Sequence, residues 1–215
     1  MKLAVLGASG GCGKELVEQA KKRGHEVTAV VRSRAWRAPE GVRTVTGELT
    51  LELLREAIRG QDVVLCALGL RLPGLAPWAR PEVPDLLSRV TPLVVSAMRA
   101  EGVRRIVAIS AGGVGDSYER MPGVFKAFIR LTALRHAYPQ LDAMERELLA
   151  SGLDVCIPRP TGLTDEPATG RVLVADRIAG RATIPRADVA AWMLDQIEQP
   201  AFKYRTPVIT VTGAA

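Results

Sequence analysis

The stretch Gly7-Ala8-Ser9-Gly10-Gly11-Cys12-Gly13 limits what this chain can fold into more than any other part of it. It follows a short apolar run, residues 3–6, and opens directly into residues 14–23, where Leu16, Val17 and Ala20 fall at helical spacing. A strand that ends in a glycine turn and restarts as a helix leaves the first helical N–H groups unbonded, with the positive end of the helix dipole behind them. Gly7 suits the tight turn, Gly10 and Gly11 let a pyrophosphate approach the backbone, and Gly13 lets the helix pack on its strand. The placement predicts a dinucleotide-phosphate loop made of Gly7, Ser9, Gly10, Gly11, Cys12 and Gly13. At the head of that helix, Cys12 is expected to have a stabilised, more reactive thiolate.

The rest of the chain continues the alternation. Strands are expected at 26–31, 42–46, 62–68, 105–110, 153–158 and 207–211, and helices at 51–59, 85–100, 140–151 and 185–199. This order predicts an α/β class: a Rossmann-like, doubly wound parallel sheet with helices on both faces, formed as a single domain over residues 1–215. Irregular segments 71–84, with four prolines, and 162–181 follow strands and should emerge at the carboxyl edge of the sheet. Together with 111–138 they form the expected substrate side.

Composition removes several classes. The longest apolar stretch, 63–70, is far too short for a bilayer, and residues 3–6 are too few for a signal-peptide core. The expected location is therefore the cytoplasm. Cys12, Cys66 and Cys156 make no paired motif and the histidines are only His25 and His136, so no metal site is expected. The net charge of +6 suits a protein that holds phosphorylated small molecules. No basic stripe interleaved with aromatics supports nucleic acid, and a monomer or homodimer is expected.

The end of the second strand bears on the cofactor. An NAD site places an acid there for the ribose hydroxyls. This chain reads Val30-Val31-Arg32-Ser33-Arg34, with no acid adjacent. Arg32 as a charged fork and Ser33 as a hydroxyl suit the 2′-phosphate of NADP(H), so NADPH is the expected cofactor.

Gly7–Gly13, Val30-Val31-Arg32, Gly47-Glu48-Leu49-Thr50, Ala67-Leu68-Gly69, Ile109-Ser110-Ala111, Ser151-Gly152-Leu153 and Arg159-Pro160-Thr161-Gly162-Leu163-Thr164 occur in an order that resembles the atypical short-chain dehydrogenase/reductases. The most similar branch is the NAD(P)H-binding one that includes biliverdin-IXβ/flavin reductase and NmrA-like proteins. The resemblance implies that Glu48 and Leu49 lie near the adenine and Leu68 and Gly69 along the cofactor. It places Arg159–Leu163 beside the nicotinamide, with Pro158, Arg159 and Thr161 as cofactor contacts.

Ordinary members of that superfamily protonate a carbonyl with the Tyr of a Tyr-x-x-x-Lys pair. Here Tyr118, Tyr138 and Tyr204 are followed four residues on by Pro122, Asp142 and Val208, so no tyrosine has its lysine. Tyr138, near the expected place, is a candidate for catalysis, for packing or for a substrate contact. Ser110, at the end of its strand, either orients an acceptor or caps the loop that follows. His136 is read as a surface histidine before a proton donor. Phe125, Phe128, Ile129 and Thr132 share one helical face, which either packs internally or walls a pocket opposite Trp78. The span from Arg99 to Arg135 holds seven basic and three acidic residues, a local +4 that either attracts an anionic substrate or is simply solvated.

A positioned acid contributes roughly 10²–10⁴-fold, so its absence disfavours plain ketones. The expected function is an NADPH-dependent reductase passing hydride to a flavin, quinone or tetrapyrrole. The alternative is a non-catalytic NADP(H) sensor like the NmrA regulators.

Overall fold

Parallel strands covered on both faces must be apolar at nearly every position, and the runs that meet this condition form the centre of the fold. In the computed structural model, residues 1–33, 35–178 and 182–211 are described. β1 (Lys2–Leu6) is buried from Leu3 onward, β2 (Glu26–Val31) from Val27 onward, and β4 (Val63–Cys66) throughout. With β3 (Arg43–Thr46), β5 (Arg105–Ala108) and β6 (Asp154–Cys156) they make a six-stranded parallel sheet of order β3-β2-β1-β4-β5-β6. The strand order reverses beside β1, so the β1/β4 carboxyl ends form the switch-point crevice where such sheets bind ligands.

One face of the sheet carries α1 (Gly11–Lys22) and α6 (Arg186–Ile197), which close a core around Leu3, Val5, Leu16, Val107 and Met193. The other carries α2 (Leu51–Ile58), α3 (Leu86–Ala100) and α5 (Leu134–Ala150), around Leu6, Leu54, Val94, Ile106 and Leu148. Thr50 caps α2 by accepting a hydrogen bond from the Leu53 N–H at 3.3 Å, which fixes where that helix starts. The predicted fold class is the one observed.

Three expectations need correction. The last strand, β11 (Val208–Thr210), does not extend the central sheet; it lies between β7 (Arg159–Pro160) and β9 (Leu173–Ala175) in a small second sheet. Residues 162–181 are not purely irregular, because β8 (Gly162–Thr164) also pairs with β10 (Thr183–Pro185); positions 179–181 lie outside the described residues. The helix expected at 140 begins at Leu134, with Pro139 inside it. A proline one turn in removes a single helical hydrogen bond, and buried Ala137, Met144 and Leu148 keep the segment helical across it. A further helix, α4 (Gly123–Leu131), precedes it, after a 3₁₀ turn at Gly115–Tyr118.

Candidate functional site

Gly7 turns the chain out of β1 with φ +78, and its N–H and that of Ala8 both donate to the Val30 carbonyl at 3.2 Å. The loop is thereby tied to the end of β2. A Cβ at Gly7 would lie 2.7 Å from the Ala67 carbonyl oxygen, and one at Gly13 only 2.1 Å from that of Gly7. Both glycines are therefore demanded by backbone against backbone. Gly10 precedes α1 without a side-chain cap, and the first turn holds no acid, so neither competes with an incoming anion for the backbone N–H groups there. That cradle fits a dinucleotide pyrophosphate.

Two findings here lay outside the sequence reading. Cys12 is 8% exposed and belongs to the core under α1, and burial pushes its thiol up to about 11 despite the opposing charge of Arg186. The expected thiolate is therefore corrected to a neutral, inward-facing thiol. Arg186, the first residue of α6, crosses Gly11 so closely that a Cβ there would lie 2.5 Å from its Cδ, and its Nη1 donates to Asp165 at 2.6 Å. Nothing near the glycine loop in sequence signals this arginine.

From the loop a groove runs across the switch point, lined by Gly7, Ser9, Gly10, Val31, Arg32, Leu49, Leu68, Gly69 and Arg71. Beside it a second depression is bounded by Arg32, Gly47, Glu48, Leu49, Val83 and Arg89. Most of the residues expected to hold a cofactor thus share one surface. Three arginines face it, and each has an acid nearby: Arg32 and Arg71 each lie 3.9 Å from Glu82, and Arg89 lies 3.3 Å from Glu48. The absence of an acid after β2 therefore does not hold in space, since the 71–84 segment brings Glu82 to Arg32. The Ser33 hydroxyl accepts from the Ala35 N–H at 3.2 Å and keeps its own proton free to donate; Arg34 lies outside the described residues.

At the far end, Ser110 follows β5 and is 5% exposed. Its N–H donates to the Pro158 carbonyl at 2.9 Å and its Oγ to Glu145 at 2.5 Å. Glu145 is buried on α5, and Arg159 holds it with both Nε (3.0 Å) and Nη2 (2.6 Å) while reaching Asp116 through Nη1 at 2.6 Å. Arg159 is 2% exposed, so its expected place beside the nicotinamide is corrected to a buried fork under Ser110. Thr161 is also turned inward, its hydroxyl donating to Thr210 at 3.1 Å. Sequence reasoning missed Glu145, although it sits among the apolar positions of α5 between Met144 and Leu148, where a solvated glutamate would not be.

Tyr138 donates to the Gly112 carbonyl at 2.9 Å, and burial pushes its phenol up to about 12. Phe125 and Ile129 pack with Met121, Ile178 and Tyr138, but Trp78 is 80% exposed, so it forms no opposite wall.

Residues 7–200 match the model of the NAD(P)H-binding family. The chain belongs to that family. YwnB of Bacillus subtilis (strain 168) is 44% identical over 69 residues, a stretch spanning 32% of either chain. The structure of ChuY, described as an anaerobilin reductase from Escherichia coli O157:H7, superposes with a TM-score of 0.82 at 24% identity, covering 100% of this chain and 99% of that one. A Veillonella parvula DSM 2008 short-chain dehydrogenase/reductase in complex with NADP gives a TM-score of 0.77 at 18% identity, with 99% and 95% coverage. These likenesses establish the fold. Among the described residues, no helix is long and apolar enough to cross a membrane.

Proposed function

We propose that this chain is an NADPH-dependent reductase that passes a hydride to a conjugated acceptor: a flavin, a quinone or a linear tetrapyrrole. One observation carries the reading. The two hydroxyls on the expected acceptor side, Ser110 and Tyr138, both give their protons to the protein's own oxygens, and the Tyr138 phenol is far above neutral pH. Neither is poised to protonate a ketone oxygen as hydride arrives. A ring system that spreads the electron pair needs no such donor, because water can supply the proton afterwards. The reductase name carried by ChuY and the NADP held by the Veillonella structure point the same way.

The residues divide the work along the groove. The glycine loop takes the pyrophosphate on its N–H groups, and Arg32, with Arg71 and Arg89 near it, supplies positive charge for the 2′-phosphate. Bound NADPH supplies the hydride. Ser110, its proton held by Glu145, keeps lone pairs that accept a hydrogen bond from the acceptor.

Steady-state oxidation of NADPH by the wild-type protein, with FMN, riboflavin, a quinone and biliverdin in turn, tests the proposal. Acceptor-dependent oxidation, faster with NADPH than with NADH and absent with a simple ketone, is the expected result. Tight NADPH binding with no oxidation by any acceptor would overturn it in favour of a sensor. Ser110→Ala removes one neutral hydrogen bond to the acceptor, worth about 0.5–1.5 kcal/mol, besides its own bond to Glu145. It should therefore lower kcat roughly 2- to 13-fold and leave the Michaelis constant for NADPH unchanged.

A further inference from the structure

The 71–84 segment is a closed loop with a stem and a docked tip. The Glu82 N–H donates to the Arg71 carbonyl at 3.1 Å, closing the stem where Arg71 lines the cofactor groove. The tip rests on the start of α5: the Ala133 N–H donates to the Leu75 carbonyl at 3.2 Å and Arg135 Nη2 to that of Pro77 at 2.7 Å. This docking sets two guanidinium groups on one imidazole. Arg80 Nη1 lies 3.1 Å from Nδ1 and 2.5 Å from Nε2 of His136, and Arg135 Nε lies 3.2 Å from the same Nε2.

Charge here is gathered without a counter-charge. Among the described residues, no carboxylate comes within 4.0 Å of Arg80 or Arg135, whereas Arg71, in the same loop as Arg80, lies 3.9 Å from Glu82. The first turn of α5 also lacks an acid and a side-chain cap, so the two cations stand where the helix dipole is already positive. What desolvation His136 undergoes, and then the charges of Arg80 and Arg135, hold its imidazole below the ordinary histidine value. Apolar surface flanks the cluster, with Trp78 80% exposed and Leu75 51%.

We propose that Arg80, Arg135 and His136 form a subsite for the ionised tail, phosphate or carboxylate, of an aromatic ligand whose ring lies towards the cofactor groove. It rests on the reductase reading only in taking that ligand to be the hydride acceptor. An anion there relieves the repulsion between the two guanidinium groups, and Trp78 offers its rings a surface to lie on.

FMN and riboflavin share one ring system and differ by a phosphate, so they isolate the claim. Titration of each against the full chain, followed by flavin fluorescence, is expected to show FMN bound more tightly, with the difference shrinking as salt is added. The Arg80→Ala/Arg135→Ala double variant should weaken FMN roughly three- to tenfold, the size of two exposed charged contacts. Riboflavin and NADPH should be unchanged, and the Arg80→Lys/Arg135→Lys variant should retain most of the preference. Equal losses for the two flavins, no loss for FMN, or failure of both flavins to bind would each overturn the subsite. FMN held by these arginines in a protein that never oxidises NADPH would leave the subsite standing and remove the reductase reading.

Discussion

Glu145→Ala is expected to cost the fold about 3–5 kcal/mol, because it strands the Arg159 guanidinium in the interior with one carboxylate fewer. For a chain of this length, that lowers the melting temperature by roughly 6–20 °C. Arg159 keeps only Asp116, whose side chain is 66% exposed and a weaker counter-charge. Replacing both partners with apolar side chains of similar volume, as in Glu145→Leu/Arg159→Met, should recover most of the loss, since no buried charge then remains unpaired. Thermal and urea unfolding of the two singles and the double would measure the coupling. A single variant that loses less than about 1 kcal/mol, the range of exposed ion pairs, would show that the pair is not sealed from water.

The same network makes stability depend on acid. Burial on its own would raise the Asp116 carboxyl, but the hydrogen bond and charge of Arg159, with Arg120 beside it, hold it below the ordinary aspartate value. A carboxylate depressed on folding contributes stability above its unfolded value, 3.8, and loses it as pH falls through the folded one. Wild-type protein should therefore weaken below about pH 4, and Arg159 variants should show less of that dependence.

Arg32→Ala is expected to weaken NADPH binding roughly 10- to 30-fold while leaving NADH little changed. The estimate is one charged hydrogen bond, about 1.5–3 kcal/mol, kept to its lower part because the Arg32 side chain is 52% exposed and screened. Glu82, 3.9 Å away, sharpens the prediction. Glu82→Gln frees Arg32 from a competing carboxylate and should tighten NADPH slightly, with no gain for NADH. Calorimetric titration showing equal losses of the two cofactors in Arg32→Ala would contradict the assignment.

The central strands were legible because a sheet covered on both faces leaves an unbroken apolar run, as in Val27–Val31 and Val63–Cys66. The glycine turn between β1 and α1 was legible because its glycines answer to local backbone geometry: Gly7 and Gly13 meet atoms only a few residues away or at the end of the adjacent strand. What the residues beyond it do was not. Arg159 follows a strand just as a ligand-binding residue would, and only the position of α5 decides that its side chain turns inward to Glu145. Glu82 reaches Arg32, and Arg80 reaches His136, through the path of a proline-rich loop that no periodicity describes. Arg186 arrives over Gly11 from the far end of the chain. Each of these is a long-range placement, set by how elements pack on the sheet rather than by spacing along the chain.

The claim at the centre of this account is that hydride transfer proceeds here without a positioned proton donor, and Tyr138→Phe tests it most directly. The substitution removes only the hydroxyl that donates to the Gly112 carbonyl and leaves the packed ring in place. Steady-state kinetics with NADPH and a flavin or quinone should keep kcat within about tenfold of wild type, less than the loss in Ser110→Ala, and far short of the roughly 10²–10⁴-fold of a general acid. A thousandfold fall in kcat, with the Michaelis constant for NADPH unchanged, would make Tyr138 the acid and the protein a carbonyl reductase.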